Sequence, residues 1–150
     1  MNNHESQMRE AIAIAEQALA SGDVPVGALI LDPTGAVVAT GFNRREIDSD
    51  PTAHAEIVAL RSAAEKLGSW RLENHTLVVT LEPCAMCAGA IAQARIATVV
   101  FGAWDEKAGA VGSIWDVLRD PRALHKTEVV AGVLEAECAE LLNKFFNELR

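Results

Sequence analysis

Three cysteines among 150 residues are too few, and an odd number, for the disulfide framework of a small secreted domain. Cys84 and Cys87 lie only three positions apart, which favours a shared metal over a mutual bridge and implies a reducing, cytoplasmic compartment. No stretch reaches the roughly 18 uninterrupted apolar residues of a membrane span, so no membrane association is expected. The opening decapeptide MNNHESQMRE is too polar and acidic for a secretory signal. Basic residues are scarce as well: 13 Lys and Arg face 21 Asp and Glu, a formal net charge of −8. That balance argues against gripping long duplexes by bulk electrostatics, while leaving room for a small basic groove. Repeats, low-complexity tracts and Gly/Ser-rich linkers are missing too, so residues 1–150 are expected to form one domain. With half its residues apolar, folding should bury roughly two thirds of the surface of the unfolded chain.

The apolar residues carry the periodicity of an α/β protein. Met8, Ala11, Ile12, Ala15, Ala18 and Leu19 share one helix face, and Ser21-Gly22-Asp23 stops that helix. Runs over 24–31 and 36–42, split by the turn Asp32-Pro33-Thr34-Gly35, predict an antiparallel hairpin. A helix over 53–67, a strand over 76–81, a helix over 84–94 and a strand over 97–101 then alternate, which predicts parallel strands. Residues 105–112 read as a glycine-containing loop, 113–118 as a short apolar turn, and 127–130 as a last strand. The final helix carries the stripe Leu134, Cys138, Leu141, Leu142, Phe145 and Leu149. The sum is a mixed, roughly five-stranded sheet with helices on both faces.

Two motifs stand at the starts of two of these helices: His54-Ala55-Glu56, after Asp50-Pro51, and Pro83-Cys84-Ala85-Met86-Cys87, after a strand. Cysteines three apart on a helix share a face, and zinc takes thiolate and imidazole ligands tetrahedrally. Cys84, Cys87 and His54 are the candidate ligands. Cys138 belongs to an apolar stripe, and His4, His75 and His125 lack matching spacing, so the fourth position is left open to water. Helix N-termini carry partial positive charge and favour thiolates there. His54 and Glu56 are two apart and would not share a face in mid-helix. The pattern therefore requires the helix to begin near His54, with Pro51 in its first turn and Asp50 or Thr52 as cap. Two thiolates cancel the charge of zinc, so its water needs a nearby base. Glu56 fits that part: it takes a proton from the water and returns it toward a ring nitrogen and departing ammonia, which is hydrolytic deamination.

H-x-E followed by P-C-x-x-C is the signature of zinc deaminases of nucleobases. Beyond it, the sequence resembles the bacterial tRNA-specific adenosine deaminase family, of the cytidine/deoxycytidylate deaminase superfamily, along nearly its whole length. The matching segments are Asp23-Val24-Pro25-Val26-Gly27-Ala28, Gly41-Phe42-Asn43-Arg44, Pro51 to Glu56, Leu81 to Ala90, Phe101-Gly102-Ala103, Gly112 to Leu118 and Glu137 to Leu142. The resemblance implies a three-layer α/β/α cytidine deaminase-like fold, a homodimer, one catalytic Zn2+ per subunit, and conversion of the wobble adenosine of a tRNA anticodon stem-loop to inosine. It also implies that Asn43 and Asp105 line the nucleotide pocket and contact the base or its ribose. Leu124, before His125, stands where the resemblance leads one to expect Asn.

Blander roles are weighed beside these. Asn43 serves equally to satisfy a turn, Asp105 to cap its loop, and Glu82 to be a solvated strand-end charge. Trp104 and Trp115 suit base stacking, an interface or the core. Arg44, Arg45, Arg119, Arg122 and Lys126 are candidate phosphate contacts, or ordinary surface. Two other functions use the same residues: a free-base or nucleotide deaminase acting on guanine, cytosine or a riboflavin precursor, and a noncatalytic zinc-binding partner subunit. The second would not need Glu56.

Overall fold

The computed structural model describes residues 3–149; Met1, Asn2 and Arg150, which the single-domain expectation includes, lie outside the described residues. In chain order the elements are α1 (Asn3–Glu16) with a 3-10 extension Gln17–Ser21, β1 (Gly27–Leu31), β2 (Val37–Phe42), α2 (Ala55–Leu67), β3 (Thr76–Leu81), α3 (Ala85–Gln93), β4 (Thr98–Ala103), β5 (Glu128–Val130) and α4 (Glu135–Glu148). The expected hairpin forms because Asp32 builds its own turn. Its Oδ1 accepts the backbone N–H of Thr34 at 2.8 Å and of Ala36 at 3.1 Å, and Gly35 takes the left-handed conformation at φ 89°.

The strands form one sheet in the order β2-β1-β3-β4-β5. β1 is antiparallel to both β2 and β3, whereas β3, β4 and β5 run parallel. Side chains alternate between two cores. Ala28, Ile30, Leu77, Val79, Val99 and Phe101 face α2 and α3, while Leu29, Leu31, Val78 and Val100 face Met8 and Ala11 of α1 and Cys138 of α4. Helices thus cover both faces, and for that reason the central strands read as continuous apolar runs rather than alternating ones.

One consequence of the mixed topology decides where chemistry can occur. Because β1 runs against β2 and β3, the end of β2, the start of β1 and the ends of β3 and β4 all reach the same edge of the sheet. Segments far apart in sequence, around residues 24, 43, 82 and 104, therefore meet there. The edge beyond the carboxyl ends of parallel strands is where α/β folds place their ligands.

Three expectations are corrected. α2 begins at Ala55, with His54 in extended conformation before it. Pro51 and Thr52 lie in a preceding turn, where Asp50 Oδ1 accepts the Thr52 N–H at 2.8 Å, so neither Asp50 nor Thr52 caps the helix. The first helix tightens to 3-10 after Glu16, which leaves Leu19 exposed while Met8, Ala11, Ala15 and Ala18 are fully buried. In α4 only Cys138 of the expected stripe is buried, and Leu149 is exposed. No described helix is long and apolar enough to cross a membrane.

Candidate active site

Two helix starts converge beyond β3. His54 immediately precedes α2 and Cys84 immediately precedes α3, both in extended conformation (ψ 156° and 177°), so their side chains point past the helix ends rather than along a helix face. Cys87 comes from the first turn of α3. The His54 Nδ1 atom lies 3.6 Å from Cys84 Sγ and 3.4 Å from Cys87 Sγ, and all three donor atoms fall within 4.8 Å of one another. A tetrahedral zinc, with bonds of about 2.3 Å to sulfur and about 2.0 Å to nitrogen, separates a nitrogen from a sulfur ligand by about 3.5 Å. The donor set and its spacing therefore fit zinc, with Nδ1 as the imidazole donor, a choice the sequence leaves open.

Glu56 sits on the first turn of α2 and is 4 % exposed. The extended His54 resolves the objection to an H-x-E pair, since only Glu56 follows helical geometry. Burial pushes the Glu56 carboxyl up to about 7, against the opposing pull of His54. The Cys87 hydrogen bond, with His54 alongside, holds the Cys84 thiol well below the usual thiol range, and the Cys84 hydrogen bond likewise raises His54. Sharing with Cys84 raises the Cys87 thiol. Positive helix ends facing this point add to the preference for negative sulfur.

His54 and Cys84 border a cavity of about 650 Å³ whose lining also includes Asn43, Glu56, Trp104 and Asp105. Asn43 is buried; its Nδ2 donates to Val24 O at 3.1 Å and its Oδ1 accepts the Arg45 N–H at 3.2 Å. Asp105 caps its own loop, accepting the N–H groups of Lys107 and Ala108 on Oδ1, each at 3.1 Å. Both residues thus line the pocket and also fulfil the bland role weighed for them.

Glu82 corrects a sequence expectation. It is 1 % exposed, not a solvated charge, and it accepts hydrogen bonds from the backbone of Asp105, Val111 and Ser113 and from the Ser113 hydroxyl. Burial pushes its carboxyl up, but these bonds outweigh that and hold it below the ordinary value. Hydrogen bonds to a charged acceptor stabilise by about 1.5–3 kcal/mol each. Asp23, also buried, does similar work for another loop, accepting from Glu46 N at 2.7 Å and Ile47 N at 3.4 Å.

Of the candidate phosphate contacts, Arg44 pairs with Asp48, Arg119 with Asp116 and Arg122 with Asp120. Lys126 donates to the carbonyls of Asp120 and Pro121. Arg45 lines the cavity and makes no ion pair among the described residues. Lys107, which sequence reasoning missed, does the same. Leu142, Asn143 and Phe146 of α4 also line the cavity; the helical stripe read from the sequence assigned Leu142 to a core. Trp104 packs edge-on against Phe101 at 4.9 Å and borders the cavity, whereas Trp115 is exposed and outside it. His125 is tied to Ile96 O at 2.7 Å, and its neighbour Leu124 is fully exposed.

Residues 1–103 match the family model for the cytidine and deoxycytidylate deaminase zinc-binding region. The chain belongs to this family. Among its relatives, the tRNA-specific adenosine deaminase of Haemophilus influenzae is 48% identical over 146 residues, covering 97% of this chain and 84% of the relative. A solved structure from a study of A-to-I editing by tRNA:A34 deaminases at the wobble position of transfer RNA has a TM-score of 0.87 at 43% identity, over 91% of this chain and 99% of that one. A guanine deaminase from Nitrosomonas europaea has a TM-score of 0.79 at 25% identity, over 94% of this chain and 83% of that one. The α/β/α architecture expected from the sequence is the one these deaminases share.

Removing a donor tests the triad directly. The His54→Ala and Cys87→Ala variants are expected to lose zinc affinity by on the order of 10²-fold or more while keeping their circular dichroism spectrum, measured by competition with a chromogenic chelator. Zinc bound as tightly by His54→Ala as by the unaltered protein would place the ion elsewhere.

Proposed function

We propose that this deaminase converts the wobble adenosine of a tRNA anticodon stem-loop to inosine, with His54, Cys84 and Cys87 holding one zinc per subunit and Glu56 moving the protons. The observation that carries the reading is the buried Glu56 beside the His/Cys/Cys donor triangle, at the floor of a cavity large enough for a base. The similarity to tRNA-specific adenosine deaminases over 97% of the chain supports the substrate. A partner subunit without catalysis would have no use for a buried carboxylate at that place.

Zinc in this site supplies Lewis acidity that makes a water nucleophilic near neutral pH. Glu56 would accept a proton from the attacking water and deliver it to the purine ring nitrogen next to the carbon attacked. Once oxygen has bonded to the ring carbon, Glu56 would take the remaining proton from the new hydroxyl and give it to the exocyclic amine, whose bond to the ring then breaks; ammonia leaves, a carbonyl remains, and water in and ammonia out balance adenosine to inosine. Burial favours the protonated form of Glu56, which suits a group that must hold a proton between these steps. Asn43 and Asp105 frame the base or ribose with whatever hydrogen-bonding capacity their structural roles leave. An anticodon loop suits the cavity because its bases are already partly unstacked and enter a pocket at low cost.

Arg45 and Lys107, unpaired at the cavity, supply phosphate contacts that the net charge of −8 conceals. Exposed Ile114 and Trp115 provide the apolar surface of a homodimer, and a tRNA substrate places the protein in the cytoplasm.

Three outcomes are expected. Glu56→Gln retains zinc but loses about 10²–10⁴-fold in kcat on tRNA, scored as inosine by nucleoside mass spectrometry beside free adenosine, guanine and cytosine. Retained activity in that variant would falsify the mechanism, and turnover of a free base alone would overturn the RNA assignment. Arg45→Ala and Lys107→Ala each weaken tRNA binding and flatten the slope of log affinity against log salt by about 0.7; an unchanged slope removes them from the RNA interface. Trp115→Glu shifts the sedimentation coefficient from dimer to monomer, and a wild-type protein already monomeric at micromolar concentration refutes the dimer.

A further inference from the structure

Glu82 belongs to neither the donor triangle nor the proton path, yet it is the most deeply buried carboxylate among the described residues, at 1 % exposure. Its bonds all run to one segment. Oε1 accepts the Asp105 N–H at 3.0 Å and the Ser113 hydroxyl, and Oε2 accepts the N–H groups of Val111 at 2.9 Å and Ser113 at 3.0 Å. That segment forms a wall of the cavity through Asp105, Glu106, Lys107 and Ala108. It is also stitched to the metal side: Ala110 N donates to Pro83 O at 2.8 Å, and Gly109 bridges Cys84. Gly109 itself leaves no room for a side chain, because a Cβ there would overlap the Glu82 carboxyl.

We propose that Glu82 is a positioning residue for the deamination: its buried carboxylate gathers residues 105–113 into a rigid pocket wall and registers that wall against the strand end that delivers Cys84. The proposal rests on the deaminase reading above and deepens it. A carboxylate suits the task because all four groups that approach it are donors, and only an acceptor with two oxygens satisfies them together. A glutamine of the same size does not. Its amide nitrogen can face the Ser113 hydroxyl, which turns to accept, but the same nitrogen then opposes the Asp105 N–H. Glu82→Gln therefore frees the wall at its Asp105 end and spares the triad.

The test compares Glu82→Gln and the milder Ser113→Ala with the unaltered zinc-bound protein. In Glu82→Gln, amide hydrogen exchange over 105–113 is expected to accelerate about tenfold or more while β3 and β4 keep their protection. With zinc content unchanged, kcat on tRNA should fall about tenfold or more, because misplaced walls spoil the reacting geometry, a larger factor than any rise in tRNA Kd from the displaced Lys107. Ser113→Ala shifts both readouts the same way by a smaller factor, and carries the test alone if Glu82→Gln does not fold. Unchanged exchange over 105–113, an unchanged kcat, or a loss spread evenly over exchange, zinc content and Kd overturns the proposal. Failure of the unaltered protein to act on tRNA is a separate result that refutes the substrate reading, whereas the exchange comparison still decides whether Glu82 holds the wall.

Discussion

Two helix N-termini directed at one point constrain everything else in this protein. A metal held by two sulfurs and one nitrogen requires three side chains within about 4 Å of each other, and here they come from segments 30 and 33 residues apart in the chain. Each helix contributes through the residue just before it, where the backbone is still extended and the side chain is free to point outward. The helix ends also bring positive potential, which offsets the cost of gathering thiolates and a carboxylate in one place. Gly41 of β2 shows how closely this is set. A Cβ there would run into the backbone of Ala55 and Ala59, so α2 lies directly on the strand and His54 is held accordingly.

Buried carboxylates do a second kind of work. Asp23 and Glu82 each accept backbone N–H groups from a loop that has no regular structure of its own. Loops of this kind would otherwise carry unsatisfied donors at the pocket edge. Several carboxylates are consumed internally or paired with arginines, and Arg45 and Lys107 share the cavity lining with Glu56, Glu82, Asp105 and Glu106.

The similarity to both a guanine deaminase and tRNA adenosine deaminases fits this division. The zinc chemistry is common to substrates that share an amino-bearing ring carbon next to a ring nitrogen. Discrimination among them falls to the walls, which are built by the 105–113 loop, the Asn43 loop and the far half of α4.

The triad, Glu56 and the order of helices and strands were legible in the sequence because each depends on short-range spacing: H-x-E, P-C-x-x-C, a 3.6-residue period, an apolar run. Even the demand that a helix start near His54 followed from the i, i+2 conflict. What lay beyond reach depends on contacts between distant segments. Glu82 reads as a solvated strand end until 105–113 folds over it, Asp50 and Thr52 look like caps until the turn before α2 is seen, and Leu142 looks like core until the fold brings it to the cavity. Spacing along the chain determined which residues are the candidates for the chemistry, whereas the antiparallel placement of β1, which brings four remote segments to one sheet edge, decided what surrounds them.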